Sequence, residues 1–413
     1  MSQFRALRIK SEILRAVDEM GFRELFPIQA RAIQPLLEGK DVIGQAHTGT
    51  GKTAAYSLPM LEKMDTRRSG VQALVLTPTR ELAIQVAEEM KKFGKYIGIR
   101  VVAIYGGQGI TVQFNAFKRP VHIVVATPGR LIDHIKRRTF NLDFARIVVL
   151  DEADTMLDMG FLDDVEFILS KTPRDRQTSV FSATMPPDII ALAHRHLKNP
   201  VKILLSEKEL GLDTIDQICM NVQREHKIDT VRWLIDHFKI EQAIIFCNTK
   251  AMVSNLSERL GRYGYPALAL HGDLRQSQRN QAMERFREGG KILLVATDVA
   301  ARGIDVPQVA YIINYDIPLH PLLYFHRIGR TARAGRPGTS ISLVSVRDQQ
   351  ALQQIRSKTK IPIREMAPPF GSMPAKSESD RKMKDGKMRP PRREYWKNRS
   401  GRGYRDRKGQ RGA

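Results

Sequence analysis

The stretch Ala46-His47-Thr48-Gly49-Thr50-Gly51-Lys52-Thr53 decides the fold of this chain of 413 residues. It follows the apolar run 41–45 directly, so the order is strand, glycine loop and helix start. Glycines let backbone N–H groups turn towards a phosphate, Lys52 reaches the outer phosphate oxygens, and the Thr53 hydroxyl is a ligand for Mg²⁺. We therefore predict a cradle for a nucleoside triphosphate. Ala46 stands where the full pattern has glycine, and a glycine-threonine turn without a ligand is the alternative.

Apolar, β-rich runs alternate with helical stretches along most of the chain. In the first part these runs are 73–76, 101–105, 121–126, 147–150, 177–181 and 201–205, with helices such as 80–93 and 187–197 between them. In the second part they are 243–247, 267–271, 292–296, 309–315 and 339–344. This alternation predicts an α/β fold with two parallel sheets, each covered by helices on both faces. The chemistry of such sheets gathers at the carboxyl ends of the strands.

The pattern divides the chain into four segments. We predict a first domain over 1–205, a polar linker over 206–216, a second domain over 217–366 and a tail over 367–413. Ser11 is expected to cap the first helix, and Pro27 to open a second helix that Gly39 ends. The second domain has no glycine-rich phosphate loop. The tail is so poor in apolar residues that burial cannot offset its ordering entropy, and we expect it to be flexible.

The charge of the chain is strongly positive. The formal net charge is +23, from 67 Lys and Arg against 44 Asp and Glu. Residues 371–413 hold fifteen of the basic and five of the acidic residues, so both the tail and the rest of the chain are basic. Each phosphate that a basic protein neutralises releases counterions, which favours a polyanion as partner. A basic enzyme without such a partner is the alternative.

The compartment is predicted from what the sequence lacks. No apolar run approaches the roughly 18 residues of a membrane span, and the start Met-Ser-Gln-Phe-Arg has no signal-peptide pattern. Cys219 and Cys247 are far apart and have neither metal-ligand nor disulfide spacing. We expect a cytoplasmic protein with reduced thiols and no membrane contact.

A second cluster, Asp151-Glu152-Ala153-Asp154, follows the apolar run that ends at Leu150. A carboxylate at a strand end beside a phosphate loop can hold Mg²⁺, and its neighbour can orient or deprotonate water. We assign Asp151 to the metal and Glu152 to the water. Four such residues could equally form a helix N-terminus with favourable acidic charge.

Together these features resemble the DEAD-box RNA helicases of helicase superfamily 2, over residues 4 to about 346. The family's motifs occur in its order: Phe4, Gly21-Phe22 with Pro27-Ile28-Gln29, 46–53, 78–83, Gly106-Gly107, 127–130, 151–154, 182–184, Ile245-Phe246 with Thr249, Gln276 and Arg279, 296–305, and 326–333. The resemblance implies two tandem RecA-like domains. This family also tolerates alanine at the position of Ala46.

The resemblance implies ATP and Mg²⁺ as cofactors. The loop 46–53 would bind the triphosphate, Phe4 would stack on the adenine and Gln29 would bond its edge. Asp305 would accept a hydrogen bond from the ribose. Without the resemblance, the alternative for Phe4 is a buried staple for the first helix, and the alternative for Gln29 is a residue on a helix surface. Leu25-Phe26 replace the family's Pro and Thr or Ser, so one hydroxyl contact is missing, and weaker base selectivity or weaker ATP affinity is a hypothesis.

The second half would complete the active site. Arg330 and Arg333 resemble the family's arginine fingers, which stabilise charge on the γ-phosphate once the domains close. A solvated basic helix face is the alternative for this stretch. The residues expected to couple the two domains are Asp154, Ser182, Thr184, His326 and Arg327.

The RNA contacts implied by the resemblance fall on phosphates and sugars, and they should read little sequence. These contacts are Thr79, Arg80, Gly106, Gly107, Thr127, Gly129, Arg130, Gln276, Arg279 and Thr297. Taken alone, the glycines are also ordinary turn residues. In the tail, arginines alternate with Tyr395, Trp396 and Tyr404, which predicts sequence-tolerant RNA affinity, with a solubilising tail as alternative.

We therefore expect an ATP-dependent RNA helicase that closes on ATP and single-stranded RNA and separates short duplexes or remodels ribonucleoproteins. One alternative is a processive DNA helicase or translocase with the same two domains. Another is an RNA clamp or annealing factor whose ATPase times its release. The sequence names neither the RNA nor any protein partner.

Overall fold

The computed structural model describes residues 3–46, 49–205, 214–301, 309–318, 320–332, 338–358 and 362–370. Among the predicted site residues, His47, Thr48, Asp305 and Arg333 lie outside the described residues. The same holds for most of the predicted linker and for nearly all of the tail.

The first domain is built around a parallel sheet of seven strands. Its strands are β1 (Val42–Gln45), β2 (Ala73–Leu76), β3 (Val101–Ile104), β4 (Ile123–Ala126), β5 (Ile147–Asp151), β6 (Gln177–Ser182) and β7 (Val201–Leu204). Its helices are α1 (Ser11–Glu19), α2 (Pro27–Leu37), α3 (Lys52–Glu62), α4 (Arg80–Phe93), α5 (Ile110–Ala116), α6 (Pro128–Lys136), α7 (Ala153–Asp158), α8 (Leu162–Ser170) and α9 (Pro187–His196).

The second domain has a parallel sheet of the same size. Its strands are β8 (Ile215–Asn221), β9 (Gln242–Phe246), β10 (Ala267–Leu270), β11 (Ile292–Ala296), β12 (Tyr311–Asn314), β13 (Gly338–Val344) and β14 (Arg364–Glu365). Its helices are α10 (Lys227–His237), α11 (Lys250–Arg262), α12 (Gln276–Arg287), α13 (Asp298–Ala301), α14 (Pro321–Ile328) and α15 (Gln349–Lys358).

The two sheets have the same strand order. The first runs β3-β4-β2-β5-β6-β1-β7 and the second β10-β11-β9-β12-β13-β8-β14, so β8 is the equivalent of β1 and β12 of β5. Separate hydrophobic clusters cover the two faces of the first sheet. Burial on both faces explains why the strands read as continuous apolar runs in the sequence. The predicted α/β fold with two parallel sheets is confirmed.

Most predicted elements are present with small shifts at their ends, and two details are wrong. Lys10, not Ser11, occupies the cap position of α1, and the Ser11 hydroxyl donates to Glu12 at 3.0 Å instead. Ile215 and Asp216, which were assigned to the linker, are the first residues of β8 and pair with β13. The polar Asp216 and Gln217 conceal this strand in the sequence. Within the described ranges, every helix is too short or too polar to cross a bilayer.

Candidate functional site

The predicted phosphate loop joins the end of β1 to the start of α3. Ala46 continues the strand by donating its N–H to the Ser182 carbonyl at 2.9 Å, and Gly51 precedes α3 at a φ of +84°. The buried Gln29 amide donates to the Gly51 carbonyl at 3.1 Å. A Cβ on Gly51 would lie 2.2 Å from Gln29 Nε2, so glycine is required both for the backbone angle and for this close approach.

Gln29 therefore fastens α2 to the loop. Its Oε1 accepts from the Phe26 N–H at 3.0 Å, so both ends of the amide have protein partners. The side chain is buried, which excludes the alternative of a helix-surface residue. Its predicted bond to the adenine edge stays a prediction.

Lys52 is the first residue of α3 and points to the end of β5. Its Nζ lies 4.0 Å from Asp151 Oδ1, and both side chains are buried. Asp151 also accepts hydrogen bonds from the Tyr56 hydroxyl at 2.8 Å and the Glu152 N–H at 3.0 Å. Burial raises the pKa of Asp151, although the Lys52 charge opposes that change. Among the described residues Lys52 Nζ has no hydrogen-bond partner, so the ammonium is placed to receive an anion.

Glu152 is held in a rare backbone conformation beside this pair. Its φ and ψ are 52° and 51°, in the left-handed region, and it precedes α7. Such a conformation costs about 1–3 kcal/mol in a residue other than glycine, and it persists only where the surroundings impose it. Its side chain is buried, and Oε2 has no hydrogen-bond partner within the described part of the chain. Glu152 and Lys52 line the same small cavity.

Asp154, on the first turn of α7, is the centre of a contact between β6 and the second domain. Its Oδ2 accepts from the Thr184 N–H at 3.0 Å and the Thr184 hydroxyl at 2.9 Å, and its N–H donates to the Ser182 hydroxyl at 3.1 Å. His326 Nε2 lies 3.5 Å from the same Oδ2. Burial alone would raise the pKa of Asp154, but His326, Lys52 and Ser182 together hold it well below its usual range.

One small cavity joins the two domains at this point. Its lining is Lys52, Glu152, Asp154, Thr155 and Ala183 from the first domain with His326 and Arg330 from the second. Arg330 is 5% exposed, so its side chain is buried at the interface rather than on a solvated helix face. The structure thus brings Arg330 to the phosphate-loop lysine and the acidic cluster.

Arg327 does not join this contact, and its predicted role between the domains is wrong. It is 1% exposed and forms a double ion pair with Asp298 at 2.6 and 2.7 Å. It also donates to Asn248 Oδ1, to Asn314 Oδ1 and to the Asp316 carbonyl. All of these described partners belong to the second domain. Arg327 therefore ties the ends of β9 and β12 to α13.

Phe4 is placed in the core of the first domain. The residue is 1% exposed, and its ring meets Phe22 edge to face at 5.9 Å. This placement agrees with the alternative of a buried staple. Stacking on adenine would require the Phe4 ring to leave the hydrophobic core of the first domain. Phe26 lies nearer the phosphate loop: it is 43% exposed, and its Cδ2 is 3.0 Å from the place of a Cβ on Gly51.

The predicted RNA contacts of the first domain follow β2, β3 and β4. Thr79 caps α4 by accepting from the Leu82 N–H at 3.2 Å. The Arg80 guanidinium lies over the Tyr105 ring at 4.7 Å, and its buried Nε has no hydrogen-bond partner among the described residues. Gly107 has a φ of +80°, and a Cβ there would meet Arg80 at 3.1 Å. Gly107 is therefore beside Arg80, whereas a Cβ on Gly106 would meet open space; the RNA contacts of both glycines stay predictions.

A buried amide, Gln113, organises the other side of this track. Arg130 donates to the Gln108 carbonyl at 2.8 Å and to Gln113 Oε1 at 3.3 Å. Gln113 also donates to the Tyr105 carbonyl at 2.9 Å and contacts His134 Nε2 at 3.1 Å. Burial, with the charge of Arg130, lowers the pKa of His134 to about 4. Arg130 is thus oriented from α5. Thr127 and Gly129 start the same helix as Arg130.

The second domain reaches the predicted RNA contacts of the first domain through Gln276 and Arg279 on α12. Gln276 Nε2 donates to Glu81 Oε1 at 3.0 Å, and Arg279 Nη1 lies 3.1 Å from the same oxygen. Glu81 is on the first turn of α4, next to Arg80. Thr297 follows β11, and its hydroxyl accepts from the Ala300 N–H at 3.4 Å. The domains therefore meet at Glu81, beside the predicted RNA contact Arg80, as well as at the phosphate loop.

Sequence reasoning missed three side chains that contact predicted site residues. Tyr56 bonds the predicted metal ligand Asp151, Glu81 receives the second domain, and Gln113 orients Arg130. Glu81 lies inside a quoted motif and could have been found there. Tyr56 and Gln113 occupy helix positions that read as core, and only the tertiary structure brings them to the site.

Comparison with known proteins identifies both domains. The model of the DEAD/DEAH box helicase family matches residues 26–192, and that of the helicase conserved C-terminal domain matches 226–335. The DEAD-box ATP-dependent RNA helicase CshA of Bacillus cereus is 48% identical over 360 residues, which are 87% of this chain and 69% of the relative. CshA of Geobacillus kaustophilus is 47% identical over 369 residues, 89% of this chain and 79% of the relative.

Solved structures agree with this result. Dbp5 of S. cerevisiae bound to RNA and ADP BeF3 matches with a TM-score of 0.81 and 34% identity, covering 89% of this chain and 96% of that one. Mss116p bound to ssRNA and AMP-PNP matches with a TM-score of 0.78 and 31% identity, covering 89% and 78%. The predicted pair of RecA-like domains is confirmed, and so is the resemblance based on the motifs. The chain belongs to the DEAD/DEAH box helicase family.

Proposed function

We propose that this chain is an ATP-dependent RNA helicase that binds single-stranded RNA and locally separates short duplexes or remodels RNA–protein complexes. One observation carries the proposal. The second domain contacts the first at two places, His326 with Asp154 beside the phosphate loop and Arg279 with Glu81 beside the RNA track. A single closure of the domains therefore completes both sites. The relatives named above are RNA helicases, and two of the similar structures hold RNA.

The residues present suit ATP with Mg²⁺. The buried Lys52 Nζ and Glu152 Oε2 have no hydrogen-bond partner among the described residues, and a triphosphate with an attacking water would supply partners to both. The described residues contain no cluster of three metal-ligating side chains. Mg²⁺ is commonly held by one or two protein ligands with phosphate oxygens and water, and Thr53 and Asp151 fit that role.

Thr53 and Asp151 would hold Mg²⁺, and bound MgATP would supply the γ-phosphoryl group together with a cation that offsets phosphate charge. Lys52 neutralises the outer phosphate oxygens, and Glu152 orients and deprotonates the attacking water. Arg330 arrives with the second domain and stabilises the charge that develops in the transition state, which makes hydrolysis depend on closure. Arg333 and Asp305 keep their proposed roles as second finger and ribose contact.

RNA contacts in this proposal fall on the sugar–phosphate backbone. Arg80 and Arg130 supply charge, and Gly107 and Gly129 allow close approach of the chain, so little sequence is read. The proposal includes a cytoplasmic location, which two free, buried cysteines support because reduced thiols are the rule in that compartment. Ribonucleoprotein partners and an RNA-binding role of the tail 367–413 are part of the same proposal.

The test is hydrolysis of ATP with and without RNA, together with separation of a short RNA duplex. We expect stimulation by RNA and not by DNA, and strand separation that needs ATP. A Lys52→Ala variant gives the background of both reactions. Equal stimulation by DNA would favour a DNA translocase, and RNA-stimulated hydrolysis without strand separation would favour a clamp or annealing factor.

A further inference from the structure

A wide groove crosses the edge of the first sheet opposite the nucleotide site. It has a volume of about 1280 Å³ and runs past the amino ends of β1, β2, β5, β6 and β7. We call it the Phe144 groove, and its relevant side chains are Lys40, Arg67, Arg68, Phe144, Arg146 and Lys198. Strands of this length separate the two edges of the sheet by about 13–20 Å. A ligand in the groove therefore does not touch Lys52 or Asp151.

The Phe144 groove is basic. Its lining carries seven Lys or Arg against three Asp, an excess of four positive charges. Arg67 and Arg68 lie near Asp65 with side chains that are 90% and 79% exposed, and Arg146 pairs with Asp175 with side chains that are 57% and 69% exposed. Exposed ion pairs of this kind are weak. A phosphate, which arginine binds with two parallel hydrogen bonds, can therefore displace these carboxylates.

An aromatic ring lies among these cations. Phe144 is 56% exposed although it is a large apolar residue. Its ring packs against Gly70, where a Cβ would lie 3.2 Å from Phe144 Cδ2 and where φ is +112°. A single exposed phenylalanine is ordinary on a protein surface. An exposed ring that packs on Gly70 in a groove lined by arginines is an arrangement in which a base can stack on the ring while phosphates meet the charges.

The size of the groove favours a polymer over a small molecule. Pockets for small ligands have volumes of about 300–1000 Å³ and bury most of the ligand. The Phe144 groove exceeds that range, and its cations Lys40, Arg68 and Lys198 are exposed along its rim. An acidic protein would use the charges but not a platform for bases. Nucleic acid uses both.

We propose that the Phe144 groove is a second RNA-binding site, which holds a single-stranded segment of the same RNA that occupies the helicase track. This inference rests on the proposed function. Two sites on one strand act through effective concentration, so the second contact strengthens binding only when the RNA reaches both. The groove therefore makes the enzyme favour long single-stranded flanks over short RNAs.

The test compares single-stranded RNAs of about 10 and about 40 nucleotides, since one site covers roughly 4–16 nucleotides. The triple variant Arg67→Gln/Arg68→Gln/Lys198→Gln removes three exposed charges. We expect its Kd for the long RNA, measured by fluorescence anisotropy, to rise about tenfold, while Kd for the short RNA and the RNA-saturated kcat stay unchanged. The slope of log Kd against log salt should fall by about 2, at about 0.7 per phosphate.

The matched control is Arg285→Gln/Lys291→Gln/Lys358→Gln, which removes three exposed charges from the second domain. It changes net charge equally and should leave the preference for long RNA intact. Phe144→Leu keeps an apolar side chain but no ring. It should raise the Kd for the long RNA several-fold without changing the slope of log Kd against log salt, because stacking releases no counterions.

The proposal is overturned if the Kd for the long RNA rises equally in the groove variants and in the control. It is also overturned if the groove variants raise the Kd for the short and the long RNA equally. Loss of affinity for an acidic polypeptide such as polyglutamate, with unchanged affinity for RNA, would also overturn it in favour of a protein ligand. If RNA fails to stimulate hydrolysis by the wild type, the proposed function fails. Even in that case, the anisotropy comparison shows whether the Phe144 groove binds RNA.

Discussion

His326 Nε2 lies 3.5 Å from Asp154 Oδ2 and joins α14 of the second domain to α7 of the first. The same Asp154 oxygen accepts both hydrogen bonds of Thr184, so this carboxylate contacts the end of β6 and the second domain at once. Because its pKa is held well below the usual range, Asp154 stays ionised across the physiological pH range. The contact between the domains is therefore a charged one, placed one residue from Ala153 and two from Glu152.

Lys52→Ala should abolish ATP hydrolysis, because Lys52 carries a buried charge aimed at the phosphate site. Arg330→Ala should lower kcat by roughly a thousandfold although it lies in the other domain, as expected of an arginine finger. Arg330→Lys should restore little of the lost kcat, because an ammonium lacks the planar, forked set of donors of a guanidinium. Steady-state hydrolysis with saturating RNA measures all three, with the exposed Lys92→Ala as control. Wild-type kcat in Arg330→Ala would show that closure is not needed.

Glu81→Ala should weaken RNA-stimulated hydrolysis at the RNA-binding step. Arg279 loses the carboxylate with which it pairs, and Gln276 keeps its hydrogen bond to Asn280 but loses the one to the first domain. The buried Arg279 Nε already has no hydrogen-bond partner among the described residues. The loss of a charge-assisted bond corresponds to about 1.5–3 kcal/mol, or roughly a ten- to hundredfold rise in the apparent KM for RNA. Glu81→Gln keeps an acceptor oxygen and should lie between the two. An unchanged KM in Glu81→Ala would show that this contact between the domains does not support RNA binding.

Phe26→Thr should strengthen ATP binding. The family's hydroxyl is absent here, and the Phe26 ring fills space beside Gly51 instead. We expect a several-fold lower KM for ATP in the variant and a smaller change for GTP, because the restored contact lies in the segment that fixes Gln29. Phe26→Leu is the control for loss of the ring alone. A strong preference of the wild type for ATP over GTP would contradict weakened selectivity.

The first domain should lose stability in mild acid through His134. Its pKa is lowered to about 4 in the folded protein against about 6.5 in an unfolded chain. The unfolded state therefore binds more protons below pH 6.5, and stability falls as the pH drops from 6.5 towards 4. Urea unfolding at a series of pH values should show this fall. His134→Gln, which cannot titrate, should show a smaller fall, and an equal fall in both proteins would assign the effect to other groups.

The strands and the phosphate loop were predictable because their signals are local. Each apolar run from 73–76 to 201–205 lies on a strand, and the Gly51 and Lys52 positions follow from the chemistry of phosphate binding. Arg327 shows the limit of such reasoning. Its neighbour His326 faces the other domain, but one residue along α14 changes the direction by about 100°. Only the packing shows that Arg327 points inwards.

The missing phosphate loop of the second domain also has a structural explanation. Lys227 is the first residue of α10, as Lys52 is of α3, and each helix follows the equivalent strand. Lys227 Nζ donates to the Tyr315 carbonyl at 2.7 Å and to Asp348 at 3.3 Å. Protein groups thus bind Lys227, whereas the equivalent Lys52 of the first domain has no hydrogen-bond partner among the described residues and can bind a phosphate. The sequence shows the absence of glycines but not this replacement.

We propose that closure of the second domain joins ATP hydrolysis to RNA remodelling through the contact of His326 with Asp154. The most direct measurement is the number of short RNA duplexes separated per ATP hydrolysed by His326→Ala, beside wild type and His326→Gln. We expect a fall of about tenfold or more in this ratio for His326→Ala, with partial recovery in His326→Gln, which keeps a donor. An unchanged ratio in His326→Ala would contradict it.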